Sequence, residues 1–226
     1  MIMNEQRSTQ AQRFFLIGIA LLGVLVIGGL IWAVSLGPSG PGPSSEANLH
    51  FNDDNDPAQG PADAKVTVRI FGDLQCPACK AAEPGFLYAI KTYSSRARFV
   101  WDDFPLTTVH PNAKIAAEAA RCAEEQGKFW EYNHLLYQNQ DSWAPLSSPS
   151  ASFTTYASQL GLNTEGFSSC LAQQTYNNKI EDDMAEGDAN NVNATPTFFI
   201  NNQRYEGGMT NAQWDTAMDQ AFNANP

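Results

Sequence analysis

The chain has 226 residues, a formal net charge of −11, 43% hydrophobic residues and 11% aromatic ones. That length fits one core-forming domain with attachments. The acidic balance excludes a basic face for nucleic acid and a polybasic grip on anionic lipid.

Residues 1–13 are polar and include Arg7 and Arg13, and the run that follows, Phe14–Leu36, is uncharged. At about 23 residues it is long enough to cross a bilayer. Beyond it no Lys or Arg occurs before Lys65, whereas Glu46, Asp53, Asp54 and Asp56 do. The positive-inside rule then predicts a cytoplasmic N-terminus (1–13), a single transmembrane anchor (14–36) and an extracytoplasmic body. A cleaved signal peptide is the alternative, with Ala33-Val34-Ser35 as its small-x-small site; the apolar run exceeds the usual length of such a segment. Either way the body meets a compartment where disulfides persist. Residues 37–62 are rich in Pro, Gly, Ser and Asp, lack an apolar period and read as a flexible linker.

The body spans 63–226. Val66, Val68 and Ile70 alternate with Thr67, Arg69 and Phe71, which predicts a strand over Lys65–Phe71. A helix-like run follows from Ala78 to Tyr93, with Pro84 as a kink point. Between them lies FGDLQCPACK, Phe71–Lys80. This spacing puts Cys76 at the helix start, where free N–H groups and the helix dipole favour a thiolate. Pro77 suits the first helical position. Cys79 falls one turn on, on the same face and within disulfide reach. One sulfur can then attack and the other resolve. Zinc binding is the competing use of C-x-x-C, but no second such pair exists and His50, His110 and His134 are scattered, so no metal site is expected. A purely structural short-loop disulfide is the other alternative, and so small a loop gains little chain entropy.

Arg96–Phe104 is a second strand by its aromatic and β-branched content, and PLTTVHPN a loop. Helical patterns then occupy about 112–188, with Gly127 and Gly161 as stops. Strand character returns at Thr195–Asn201, and Asn201-Asn202 predicts a hairpin into QRYEG. A closing helix begins at Thr210, a natural N-cap, with Trp214, Met218 and Phe222 on one face.

The order β-α-β, helices, β-β-α, with FGDLQCPAC, DDFPL and HPNA, CAEEQGKFW, the Cys170 segment and ATPTFFINN at these places, resembles the DsbA-like thiol–disulfide oxidoreductases of the bacterial cell envelope, over about Lys65–Asn223. The resemblance implies an α/β thioredoxin-like fold with an inserted α-helical domain. Cys76 would be the exposed nucleophile and Cys79 the buried resolving thiol, with Pro77 and Ala78 completing the active-site loop. Thr195 and Pro196 match the family's cis-proline loop, which packs on the disulfide and leaves a backbone edge for an extended client peptide; an ordinary strand-initiating proline is the alternative. No cofactor is implied. The partners implied are reduced or unfolded client proteins and a membrane quinone reductase of the DsbB or vitamin-K-epoxide-reductase type, acting on a monomer at the bacterial cytoplasmic membrane. A reductase or isomerase, or a tethered peptide-binding chaperone-like module, are the alternatives.

Two departures stand out. Many relatives carry a buried acid six residues before the nucleophile, where this chain has Ile70, and the strongest oxidases have His where it has Ala78. Without a carboxylate at 70, resolution by Cys79 is expected to rely on hydroxide or a stray water. Asp73 reads as either a loop residue near the site or a local cap, His110 as a loop residue and His134 as an exposed helical residue, rather than as catalytic groups. Cys122 and Cys170 lie on predicted helices, where unpaired thiols would be a liability in an oxidising compartment. A disulfide between them is expected, with two inert buried cysteines as the alternative.

Overall fold

The computed structural model describes residues 44–45, 49–52 and 55–225. The predicted cytoplasmic segment and anchor, 1–36, lie outside them. Among the described residues no helix is long and apolar enough to cross a membrane.

The strands are β1 (Ser44–Ser45), β2 (Ala58–Gln59), β3 (Val66–Gly72), β4 (Ala97–Asp103), β5 (Thr197–Ile200) and β6 (Gln203–Glu206), in the spatial order β1-β6-β5-β3-β4-β2. Helix α1 (Pro77–Tyr93) connects β3 to β4, which pair in parallel; β5 adds to β3 antiparallel and turns back as β6. The turn uses Asn201 at φ 50°, a left-handed conformation Asn tolerates. Helices α2 (Ala113–Glu124), α3 (Phe129–Gln138), α4 (Gln140–Trp143), α5 (Ser150–Gln159), α6 (Thr164–Gln173) and α7 (Asn177–Ala189) lie between β4 and β5, and α8 (Asn211–Ala224) closes the chain. Thr210 caps α8 in a reciprocal pair with Gln213.

The centre of the sheet is apolar on both faces, as a covered sheet must be. Val66, Val68, Ile70, Phe99, Trp101, Phe198 and Ile200 join α1, α8 and the helices after β4 in the main core. Phe71, Phe104 and Phe199 form a second cluster with Val192, with Leu49 and Phe51 packed against it. Gly72 is required by that packing: the Trp101 ring lies 2.2 Å from where a Cβ would stand.

The linker reading of 37–62 needs correction at its C-terminal part. Ser44–Ser45 and Ala58–Gln59 are sheet edges, and Asp56 is buried at 7% exposure. The reason is charge. Asp56 meets Arg121 at 3.2 Å and Lys179 at 2.5 Å. Arg121 also binds Asp103 and Asp183, at 2.7 and 2.6 Å, and Arg69 binds Asp102 at 2.5 Å and Glu186 at 3.2 Å. This buried cluster joins the incoming segment, β3, β4, α2 and α7. On the other side of α2, Cys122 is bonded to Cys170 of α6, 48 residues away.

Candidate active site

The site is assembled where β3 runs into α1. Asp73 builds the loop between them. Its Oδ1 accepts the Gln75 and Cys76 amides at 2.7 and 3.1 Å, and its Oδ2 accepts the Leu106 amide at 2.9 Å and faces His110 Nδ1 at 2.6 Å. One carboxylate thus ties the cysteine loop to the loop after β4. The helices after β4 hold it from the other side. Gln140 donates to the Leu74 and Cys76 carbonyls at 2.8 and 3.1 Å. Gln75 donates to Ala144 O at 3.0 Å and accepts from the Asn112 amide at 2.6 Å.

Cys76 is the N-cap of α1, and Pro77 stands at the first helical position. Both cysteines are free thiols. Facing them, the Thr195–Pro196 peptide is cis, and the Cys76 sulfur lies 3.5 Å from the Thr195 carbonyl oxygen, to which its thiol form can donate. The Thr195 hydroxyl is buried beside the two sulfurs, where it favours the thiolate form of each. Pro77 and Ala78 are both exposed.

The two sulfurs differ in environment rather than in accessible area. Cys76 is 6% exposed and Cys79 4%, so the expected open nucleophile is in fact recessed beneath the cis-proline loop. Cys76 is nonetheless lowered to about 5, first by the hydrogen bond from the Cys79 thiol, then by the Thr195 hydroxyl and the Cys79 and Ala78 amides, against the cost of burial. Burial pushes Cys79 well up, and the developing charge on Cys76 adds to it. At neutral pH the pair is therefore a thiolate and a thiol sharing one proton-bearing contact.

Ile70 is 1% exposed and packs in the main core. His110 and His134, read from the sequence as non-catalytic, and Glu83, to which the sequence drew no attention, stand at the site. His110 touches Asp73, and His134 Nδ1 lies 2.7 Å from Glu83 Oε1. Glu83 lines a small cavity with Cys79, Tyr137 and Ile70. The signal available beforehand was the spacing of Cys79 and Glu83, one helical turn apart.

A strand, a C-x-x-C pair at a helix start and a cis-proline loop across from it define a site for thiol–disulfide exchange on a thioredoxin-like fold. The chain belongs to the thioredoxin family, whose model matches residues 52–220. It is 40% identical over 169 residues to a Salinispora tropica protein named Na(+)/H(+) antiporter NhaA 3, covering 75% of this chain and 25% of that one. A Mycolicibacterium vanbaalenii protein named Na(+)/H(+) antiporter NhaA 1 is 31% identical over 223 residues, 96% of this chain and 34% of its own length. The chain thus spans a quarter to a third of these relatives. Among solved structures, a thioredoxin-like oxidoreductase from Silicibacter pomeroyi superposes with a TM-score of 0.65 at 25% identity, covering 79% of this chain and 99% of that one. BdbD from Bacillus subtilis gives 0.66 at 20% identity, with 80% and 98% covered. Alpha-DsbA1 from Wolbachia pipientis gives 0.69 at 21%, with 78% and 96% covered. The fold is the DsbA-like form of the thioredoxin fold, with helices between β4 and β5.

Proposed function

We propose that this chain is a membrane-anchored, extracytoplasmic thiol oxidase that passes a disulfide to envelope or secreted proteins. The observation that carries the reading is the asymmetry of the two sulfurs. A Cys76 held as thiolate stabilises the reduced form, and a stabilised reduced form makes the disulfide a stronger oxidant. A client thiolate would attack Cys76 and expel Cys79, and a second client thiol would then release Cys76. The cis-proline loop beside Cys76 supports client binding, because its backbone can pair with an extended peptide. Phe14–Leu36 supports the anchor, and the acidic, Lys- and Arg-free stretch after it supports an outward body. The antiporter names of the relatives are consistent with a membrane setting. Reoxidation falls to a membrane quinone reductase of the DsbB or vitamin-K-epoxide-reductase type.

The deciding experiment is equilibration of the thiol pair in glutathione buffers at pH 7. A potential more positive than about −180 mV supports oxidation of clients, whereas one below about −250 mV assigns the site to a reductase. Protease digestion of intact spheroplasts tests the topology: the body should be degraded and the first residues protected.

A further inference from the structure

Pro77 and Ala78 carry no ionisable group, so the loop between β3 and α1 depends on Asp73 and on what holds Asp73. The Asp73 carboxylate is fully buried, and a buried charge needs hydrogen bonds to offset its lost hydration. Its Oδ1 takes the Gln75 amide at 2.7 Å and the Cys76 amide at 3.1 Å, and the Asp73 carbonyl shares that Cys76 amide at 3.1 Å. Its Oδ2 takes the Leu106 amide at 2.9 Å and meets His110 Nδ1 at 2.6 Å. Among the described residues His110 is the one side chain bonded to this carboxylate. A carboxylate only accepts, so the Nδ1 that faces it carries the hydrogen.

The loop after β4 holds that ring in place. The His110 amide donates to Leu106 O at 2.9 Å, and its carbonyl accepts the Ala113 amide at 3.0 Å. Pro111 follows, with φ fixed by its own ring. Asn112 then reaches the same cysteine loop: its amide donates to Gln75 Oε1 at 2.6 Å, and its side chain donates to the Ala144 and Leu146 carbonyls at 3.1 and 2.7 Å. The two loops therefore meet at Asp73 and at Gln75, and His110 is the ionisable half of the first contact.

We propose that His110 is a positioning residue for disulfide exchange: its Nδ1–H pins the Asp73 carboxylate, which holds the Cys76 amide and so keeps the Cys76 sulfur against the first amides of α1. This rests on Cys76 being the exchanging sulfur. Cys76 has the extended backbone of an N-cap, φ −69° and ψ 123°, which turns its side chain toward the Ala78 and Cys79 amides that favour the thiolate. Without His110, Oδ2 keeps one amide, the carboxylate is held less firmly and its charge is less compensated. Both changes oppose a thiolate at Cys76. The other ionisable groups at this spot are the two thiols and Glu83 from α1, and Tyr137 from α3, which donates to the Asp73 carbonyl at 3.3 Å and is kept protonated by burial. The gain falls on release of the client. A second client thiolate attacks the client sulfur of the mixed disulfide, the client disulfide forms, and the bond to Cys76 breaks with its electron pair left on Cys76. A better-stabilised Cys76 thiolate leaves faster.

The test compares His110→Leu and His110→Asn with wild type in the full chain. Reduced protein is titrated from about pH 3 to 8 by the ultraviolet absorbance of the thiolate, and the thiol pair is equilibrated with glutathione at pH 7. Wild type should titrate with a midpoint of about 5. His110→Leu should raise that midpoint by about one pH unit and lower the equilibrium constant for reduction by glutathione about tenfold. Asn can place an amide hydrogen where Nδ1–H stands, so His110→Asn should restore both. A role in packing alone would lower the urea midpoints of the oxidised and reduced proteins equally and leave both readings unmoved. Should His110→Leu not fold, His110→Ala takes its place, since the ring is 17% exposed. An unmoved thiolate midpoint and glutathione equilibrium in the variant without a donor overturns the proposal, and so does His110→Asn shifted as far as His110→Leu. The wild-type equilibrium alone decides the oxidase reading; the ratio of variant to wild type decides this one.

Discussion

Cys76 and Cys79 sit one turn apart yet are held in opposite protonation states, because Cys76 accepts from the Cys79 thiol, the Thr195 hydroxyl and the first amides of α1 while Cys79 is more deeply buried. The role of each follows from this. Cys79→Ser should accumulate mixed disulfides with clients on non-reducing gels, and Cys76→Ser should accumulate none; the reverse pattern would exchange their roles. Asp73 supports the arrangement without touching a sulfur through its carboxylate. Asp73→Ala leaves the Gln75, Cys76 and Leu106 amides without their acceptor. Each buried amide so orphaned costs about 1–3 kcal/mol, so the midpoint of urea unfolding should fall substantially. Added hydrogen exchange should appear first at 73–76 and 104–112.

At the scale of elements, α2 is fastened along two edges by different means. Cys122 is bonded to α6, while its neighbour Arg121 is buried among Asp56, Asp103 and Asp183. Replacing both Cys122 and Cys170 with Ser should cost about 4 kcal/mol for a 48-residue closure, in the chain-entropy account. Denaturant titration in the presence and absence of the bond measures it. Strand β3, the β5–β6 hairpin and α8 were legible in the sequence because alternation, an Asn-Asn turn and a Thr N-cap act locally. β1 and β2 were not, since two-residue strands carry no period. Asp56 read as a solvated linker charge because its partner Arg121 is 65 residues away and its value depends on the folded cluster. The cysteine pair and the cis-proline loop were legible as a family pattern. Glu83 and His134 were not, because a Glu on a helix and a His on another converge only once α1 and α3 pack.

For the whole molecule, charge and redox state are coupled through pH. Burial raises Asp183 and Glu124 to about 7, so the folded chain holds protons that the unfolded chain releases. Stability of the oxidised protein should therefore rise as pH falls from about 7 toward the ordinary values of 3.8 and 4.5. Cys76 acts with the opposite sign and only when reduced. Its contribution is full above the ordinary thiol value of 9.0 and is lost as pH falls to about 5. Between pH 7 and 9 the reduced protein should gain up to about 1.4 kcal/mol per pH unit while the oxidised one stays nearly level. Paired urea titrations at several pH values check both slopes. Parallel profiles in the two redox states would remove the thiolate from the argument.

The pairing of the four cysteines has a consequence for how the chain is made. In chain order the third is bonded to the fourth, and the first two, free thiols here, stand one helical turn apart where oxidation would join them to each other. Four cysteines allow three connectivities, and this is the one in which each newly emerged thiol finds the correct partner as its nearest waiting neighbour. A polypeptide oxidised from its amino end onward can therefore reach its native bonds with no reshuffling. Reduced chain refolded in a weak oxidant should give this single isomer, by mass mapping of the peptides, without any isomerase added.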